Sequence, residues 1–159
     1  MYTITKTFSF SATRQLSGFP VDHPKTMVND ITLDITFKLT SVCLNQDGFI
    51  IDTDKLVCIE TFIGMELNKK YINNVFQFNP TNENIAKFFF KKYKKQFHNI
   101  SAVVVKEMPG NTTAKYILSH DEEDHIEIVI TPHTIEEDFI KFPLSGTQKK
   151  HKKKGFSLL

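Results

Sequence analysis

Two side chains of this sequence have the chemistry of a proton-transfer or covalent catalyst. His23, in Asp22-His23-Pro24, carries an imidazole, a group suited to acid and base work, although a histidine beside a proline is also typical of a plain loop. Lys69 can act as a base or form a Schiff base only when it is desolvated, and the adjacent Lys70 favours a solvated face instead. Neither residue alone identifies an active site.

Three further groups of residues offer ligand chemistry. Arg14 can clamp an anion through two parallel hydrogen bonds, or form a salt bridge with a nearby acid such as Asp22 or Asp30. The run His120-Asp121-Glu122-Glu123-Asp124-His125 could hold a metal ion, but it has no recognised ligand spacing and is more typical of an acidic surface loop. The lysines of residues 149–154 could follow phosphates, yet they lack interleaved aromatic residues, so we do not expect nucleic acid as a partner.

Length and composition predict one soluble domain. The 159 residues, 40% of them hydrophobic, can bury a core without disulfides or metals. Cys43 and Cys58 fall in no metal or redox spacing, and the first residues do not resemble a signal peptide, so a reducing cytoplasm is the default. No apolar run reaches the roughly twenty residues of a membrane helix. We expect a cytoplasmic domain over residues 1–144 and a basic, flexible tail over residues 145–159, with no membrane contact.

Hydrophobic periodicity predicts the strands and helices that position these residues. Alternation predicts strands over residues 2–11 and 31–38, which plausibly pair. Two helices follow, one capped by Asp52 or Thr53 and one over residues 82–97, with Lys94 among the lysines that face water.

Later strands complete the predicted fold. They lie at residues 102–105, 115–119 and 126–130, and Pro109-Gly110-Asn111 forms the first hairpin turn. The simplest packing is an α+β fold in which two helices cover one face of an antiparallel sheet of four strands or slightly more.

Five segments, in order, resemble the motifs of one enzyme family. Residues 79–84, Asn-Pro-Thr-Asn-Glu-Asn, would otherwise indicate only a helix start capped by Thr81. They are similar to the Asn-Pro-Thr-x-Glu-Asn segment of the 6-pyruvoyl-tetrahydropterin synthase and 6-carboxytetrahydropterin synthase family. Four more segments resemble this family: Phe-Ser-Phe-Ser-Ala-Thr-Arg at 8–14, Gly-Phe-Ile-Ile-Asp at 48–52, Leu-Asn-Lys-Lys-Tyr-Ile-Asn-Asn at 67–74 and Val-Val-Val-Lys-Glu at 103–107. The resemblance implies the β-β-α-α-β-β tunnelling fold, which assembles into barrel-like trimers that stack as hexamers.

The resemblance also implies a catalytic zinc whose histidine ligands this chain lacks. The three ligand positions fall on Arg14, Met27 and Asn29. A thioether and an amide oxygen are poor zinc donors, and a guanidinium repels a divalent ion because it cannot lose its proton. We therefore expect a degenerate metal site and no zinc cofactor.

The positions that transfer protons in the family have changed as well. The family's cysteine aligns near His23, and its Asp-His pair aligns with Asn68 and Lys69. An amide cannot accept a proton as a carboxylate does, so Asn68 marks a degenerate position. His23 and Lys69 remain as candidate catalytic residues.

Glu107 aligns with the glutamate that anchors the pterin in this family. A carboxylate can accept both a ring N–H and an exocyclic amine, and guanine presents the same two donors. The family's next residue, a threonine, is Met108 here, and without the resemblance Glu107 would be an exposed carboxylate at a strand end. We expect a synthase-like protein without the usual zinc-dependent activity, in which Glu107 and Arg14 bind a pterin- or guanine-like ring.

Two alternatives remain open. One is an active enzyme of a pterin or 7-deazapurine pathway, with His23 as base and Arg14 in place of the metal. The other is an interaction subunit or scaffold that associates with itself or with an active homologue.

Overall fold

The computed structural model describes residues 1–118 and the strand at residues 124–130. Its strands and helices are β1 (Tyr2–Arg14), β2 (Asn29–Ser41), α1 (Val57–Phe62), α2 (Asn82–Lys94), β3 (Ile100–Met108), β4 (Thr112–Leu118) and β5 (Asp124–Ile130). Short 3-10 turns lie at Pro24–Thr26, Thr53–Leu56 and Ile72–Asn74, and a π-helical turn at Ile63–Leu67 extends α1. The predicted order of elements is confirmed.

The five strands form one antiparallel sheet in the order β1-β2-β3-β4-β5. The predicted pairing of β1 and β2 is confirmed, and it runs from Tyr2 opposite Ser41 to Arg14 opposite Asn29. The predicted hairpin between β3 and β4 is also present, and Asn111 adopts the left-handed φ of 51° that asparagine tolerates in turns. The fifth strand lies beyond the four of the basic fold.

The core lies between the sheet and the helices, as the α+β prediction requires. Alternate residues of each strand point to this face because successive side chains of a strand point to opposite sides. Phe37 is at its centre and makes edge-to-face contacts with Phe8, Phe89 and Tyr93, each at a ring-centroid distance of 6.0 Å. Such pairs add directional attraction to the burial of apolar area.

Several predicted element ends differ from the structure, and two of them bear on the site and on α2. Strand β1 continues to Arg14 rather than stopping at Ser11, and α2 ends at Lys94 rather than at Phe97. Lys94, predicted to face water, is half-buried, and its Nζ donates to the carbonyl oxygens of His98 at 2.6 Å and Ile100 at 2.7 Å. Burial lowers the pKa of Lys94 because it disfavours the charged ammonium. This lysine ties the end of α2 to the start of β3.

Candidate functional site

The side chains of Arg14, Asn82 and Glu107 are hydrogen-bonded to one another in a polar cluster on the helix-facing side of the sheet. Arg14 Nη1 donates to Asn82 Oδ1 at 2.7 Å and to the carbonyl oxygen of Pro80 at 3.2 Å. Arg14 Nη2 forms an ion pair with Glu107 Oε2, and Asn82 Nδ2 donates to the same oxygen at 3.1 Å. The side chains of Arg14 and Glu107 are 7% and 23% exposed, so the ion pair is screened from most of the solvent.

Three separate elements bring this cluster together. Arg14 ends β1 on the face that also carries the buried Phe10 and Ala12, and Glu107 lies on the same face of β3, opposite Leu33. Asn82 begins α2, where its side chain is buried. The cluster therefore joins the ends of two strands to the start of a helix.

A hydrogen-bonded clamp fixes the end of β1 that carries Arg14. Thr13 N donates to Lys70 O at 2.9 Å and Lys69 N donates to Ser11 O, which completes the outer edge of β1. Asn73 then accepts from Gln15 N at 3.0 Å and donates to Gln15 O at 2.8 Å, as a neighbouring strand would.

Asn79 repeats this arrangement one step further along the chain. Its Oδ1 accepts from Ser17 N at 3.1 Å, and its Nδ2 donates to Ser17 O at 2.9 Å. Two side-chain amides thereby extend the clamp beyond the end of the strand and restrain the chain that follows Arg14.

A cleft of about 300 Å³ opens at the ion pair. Its charged lining residues are Arg14, Lys25, Asp30 and Glu107, two cations and two anions. Asn29 and the turn residues Pro109 and Gly110 also line it. The volume is at the lower end for a small-molecule site, and Arg14 and Glu107 neutralise each other, so the cleft suits a small ligand without strong net charge.

The family's zinc does not fit the residues found at its ligand positions. Arg14 is buried in the ion pair, and Met27 is 62% exposed. Asn29 uses its Nδ2 to donate to the carbonyl oxygens of Pro24 at 3.0 Å and Met27 at 2.8 Å. Across the residues that the structure describes, no three histidine, cysteine, aspartate or glutamate side chains lie close enough together to hold a metal ion.

His23 has a structural contact that bears on its predicted role as a base. Its Nδ1 accepts from the backbone N of Lys25 at 3.1 Å and caps the turn Pro24–Thr26, while its ring stacks on Phe19 at 4.6 Å. In the neutral imidazole the other nitrogen then carries the hydrogen. To take up a proton, His23 would have to break this capping hydrogen bond.

Asn68 and Lys69 do not line the cleft that holds Glu107. Asn68 Oδ1 accepts from Ser11 N at 3.4 Å, and Lys69 is part of the clamp on β1 with a left-handed φ of 58°. Lys69 lines a second cleft of about 430 Å³, which shares Asp30 and the Pro109 turn with the first. The structure thus brings Arg14, Asn29 and Glu107 to one cleft, and it does not bring His23, Asn68 or Lys69 there.

Two details of the cluster were missed from the sequence. The expected partners of Arg14, Asp22 or Asp30, are wrong, because the structure pairs Arg14 with Glu107. Asn82 was not singled out, since it occupies a variable position of the family's motif and looked like one more residue of a helix start. One signal was available: Arg14 is the only arginine in a chain with nineteen lysines.

Two predicted regions lie largely or wholly outside the residues that the structure describes. The acidic run at residues 120–125 lies largely outside the described residues, and for its last two positions only the strand backbone is described. The basic tail over residues 145–159 lies wholly outside them.

Comparison with known proteins identifies the family. A profile of the family described as 6-pyruvoyl tetrahydropterin synthase matches residues 3–116, which is most of the chain. The solved 6-pyruvoyl tetrahydropterin synthase of Caenorhabditis elegans superposes with a TM-score of 0.64 at 20% identity, covering 74% of this chain and 96% of that one. An uncharacterized protein of Wolinella succinogenes gives a TM-score of 0.63 at 16% identity, covering 74% and 98%.

These structural likenesses show the fold. No curated protein matches the sequence. Among the described helices, none is long and apolar enough to cross a bilayer. Because the family profile covers well over half of its length, the chain belongs to the 6-pyruvoyl tetrahydropterin synthase family.

Proposed function

We propose that this chain is a member of the family that keeps a ring-binding pocket at Glu107 and does not carry out the usual zinc-dependent reaction. The observation that supports the proposal is the ion pair between Arg14 and Glu107. The first ligand position of the family holds a cation that is already neutralised by the carboxylate beside it. A divalent ion placed there would meet a guanidinium that cannot lose its proton.

The proposed ligand is an uncharged bicyclic ring of the pterin or guanine type. Glu107 supplies a carboxylate acceptor in a cleft of suitable size, and hydrogen bonds to a charged acceptor are roughly twice as strong as neutral ones. The cleft lies at the adjoining ends of β1, β2 and β3, and the turns at Pro24–Lys25 and Pro109–Gly110 complete its lining.

Calorimetric titration of the full chain with neopterin and with guanosine tests this function. We expect saturable binding that Glu107→Gln weakens at least about tenfold, which corresponds to about 1.4 kcal/mol. Glu66→Gln, at an exposed carboxylate on the extension of α1, is the matched control and should leave binding unchanged. Turnover of dihydroneopterin triphosphate by the purified protein would overturn the proposal, as would absence of binding by both rings.

The alternative function is an active enzyme that uses His23 as its base. The observation in its favour is the buried Arg14, because an arginine can hold an anionic substrate. Two contacts weigh against it. The guanidinium is already paired with Glu107, and His23 Nδ1 accepts from Lys25 N. If His23→Ala abolishes a measured turnover of a pterin or nucleotide substrate, this alternative replaces the first; if it changes nothing, the alternative fails.

Self-association is part of the proposal, because β1 has an unpaired outer edge. The backbone groups of its odd-numbered residues face outward, as the bonds at Ser11 and Thr13 show. From Thr3 to Ser9 the described part of the chain supplies no partner for these groups. Exposed edges of this kind pair readily with another strand. A trimer or hexamer is the proposed form, and native mass spectrometry that finds only monomers would contradict it.

Thr5→Pro is the matched test of this edge. Proline removes one outward N–H, and it is tolerated on an edge strand where that group does not bond to the sheet. We expect this variant to dissociate while keeping its folded far-ultraviolet spectrum.

The proposed location is the cytoplasm. Cys43 and Cys58, the two cysteines of the chain, are both free thiols, which suits a reducing compartment. Fractionation of the native cells would place the protein, and recovery in a secreted or membrane fraction would contradict the location.

A further inference from the structure

The hydrogen bonds inside the cluster leave Glu107 with one unused oxygen. Oε2 accepts from both Arg14 Nη2 and Asn82 Nδ2. Within the described part of the chain, Oε1 accepts no hydrogen bond. A free carboxylate offers two equivalent oxygens to a ligand, whereas this one offers Oε1 with its full capacity and Oε2 already engaged twice.

Arg14 has unused donors of its own. Of the five N–H bonds of its guanidinium, two on Nη1 reach Asn82 and Pro80, and one on Nη2 reaches Glu107. The Nε–H and the second Nη2–H have no acceptor among the described residues. Arg14 and Glu107 both line the cleft at the ion pair. The cluster therefore combines a donor from Arg14 with an acceptor from Glu107.

We propose that this pairing makes the site specific for the lactam edge of a ring, in which a carbonyl oxygen adjoins an N–H, with Asn82 as the residue that positions it. The ligand's carbonyl oxygen accepts from Arg14, and its N–H donates to Glu107 Oε1. By contrast, a ring edge with two donors, an N–H beside an amine, would fit a carboxylate whose two oxygens were both free. The inference rests on the proposed ring-binding function and narrows it to cyclic amides.

The charges of the cleft agree with this assignment. Arg14 and Glu107 both line it and neutralise each other, so a neutral ring enters without unbalancing the ion pair. A lactam edge donates one hydrogen bond and accepts one, and it therefore leaves the ion pair between Arg14 and Glu107 in place. A ligand with two donors would have to draw Oε2 away from Asn82 or Arg14.

Three pteridines separate the two edges. Pterin carries both, lumazine keeps the carbonyl and N–H but has a second carbonyl in place of the 2-amino group, and 2,4-diaminopteridine lacks both the 4-carbonyl and the ring N–H, so it is the negative control. We expect lumazine to bind the full chain within about threefold of pterin, and 2,4-diaminopteridine at least tenfold more weakly, as measured by the fluorescence anisotropy of the ligand.

Lumazine binding at least tenfold more weakly than pterin overturns the lactam assignment and leaves ring binding intact. Absence of binding by all three rings overturns the ring-binding function together with the inference. The two failures are therefore distinguishable.

Asn82→Ala tests the positioning residue. Loss of its Nδ2 frees Oε2 to accept from a ligand, so we expect the ratio of pterin to lumazine affinity to rise at least threefold. A merely structural role would weaken both ligands alike and leave the ratio unchanged, and that result would overturn the role of Asn82. Asn84→Ala, in the same helical turn, is the control because its side chain donates to Asn79 O and not to Glu107. If Asn82→Ala does not fold, Asn82→Ser gives the same ratio test.

Discussion

Replacement of Arg14 by methionine should destabilise the fold far more than the loss of any exposed cation. Methionine keeps much of the apolar stem but removes the two Nη1 bonds and the ion pair to Glu107. Loss of one partner from a fully buried ion pair costs about 3–5 kcal/mol. Since Glu107 is 23% exposed, water can replace part of the loss, and we expect a decrease of about 2–3 kcal/mol in the free energy of unfolding.

Urea denaturation, followed by circular dichroism at one fixed protein concentration, measures this change. The expected decrease corresponds to a fall in melting temperature of roughly 5–10 °C for a chain of this size. Lys38→Met, at an exposed lysine of the neighbouring strand β2, should stay within about 0.5 kcal/mol. Arg14→Lys should fall between the two, because an ammonium keeps the charge and loses the planar fork of donors.

The double variant makes the test specific to the ion pair. Glu107→Gln alone should cost about 1–2 kcal/mol, since it leaves a buried cation with weaker partners. In combination with Arg14→Met, the total should be smaller than the sum of the single changes by about 1–2 kcal/mol. Additive effects, or an Arg14→Met variant as stable as Lys38→Met, would refute the reasoning.

Three further changes test the clamp and the core. Asn79→Ala should cost about 1–2 kcal/mol and speed hydrogen exchange at the Ser17 amide, because the two hydrogen bonds between the Asn79 side chain and the Ser17 backbone are lost. Lys94→Met should lower the free energy of unfolding by a similar amount, because its two hydrogen bonds to carbonyl oxygens are lost, and the urea midpoint should fall with it. Burial, and to a smaller degree the Cys58 thiol, raises the pKa of Tyr93 to about 12. The unfolded state releases this proton first, near pH 10, so stability falls from about pH 10 to 12, and Tyr93→Phe should flatten that fall.

Matched controls accompany these changes. Asn74→Ala, an exposed amide beside the clamp, should leave exchange at Ser17 unaltered, and Lys95→Met should leave the urea midpoint in place. Equal effects of a control and its test variant would count against the contact concerned. For Tyr93, a pH profile that is the same in the phenylalanine variant would contradict the cause assigned to its shift.

The sheet could be predicted from the sequence because its signal is local. Alternation over β1 and β2 gave both strands and the buried face, and the same alternation, continued through Ala12, already places Arg14 on that face. The true end of β1 could not be predicted, because residues 69–73 complete its edge, more than fifty positions further along the chain. Hydrogen bonds between residues far apart in the sequence produce no periodic pattern of hydrophobic residues from which they could be predicted.

Two residues of the candidate site could be predicted from the sequence, but the contacts between its residues could not. Glu107 and Arg14 were both expected at a ligand site, yet 93 positions separate them, and nothing local shows that they pair. The expected partner Asp30 follows Asn29, which lies opposite Arg14, so its side chain points to the other face of the sheet. Asn82 could not be recognised, because its side chain becomes a partner only once the start of α2 is packed against the ends of β1 and β3.

Zinc content is the most direct test of the central claim, that Arg14 and Glu107 occupy the site in place of a metal. Mass spectrometric metal analysis of the untagged full chain, expressed with zinc in the medium and briefly exposed to a chelator, should find far less than one zinc per chain. One zinc per chain that survives the chelator and is lost in Glu107→Gln would contradict the account.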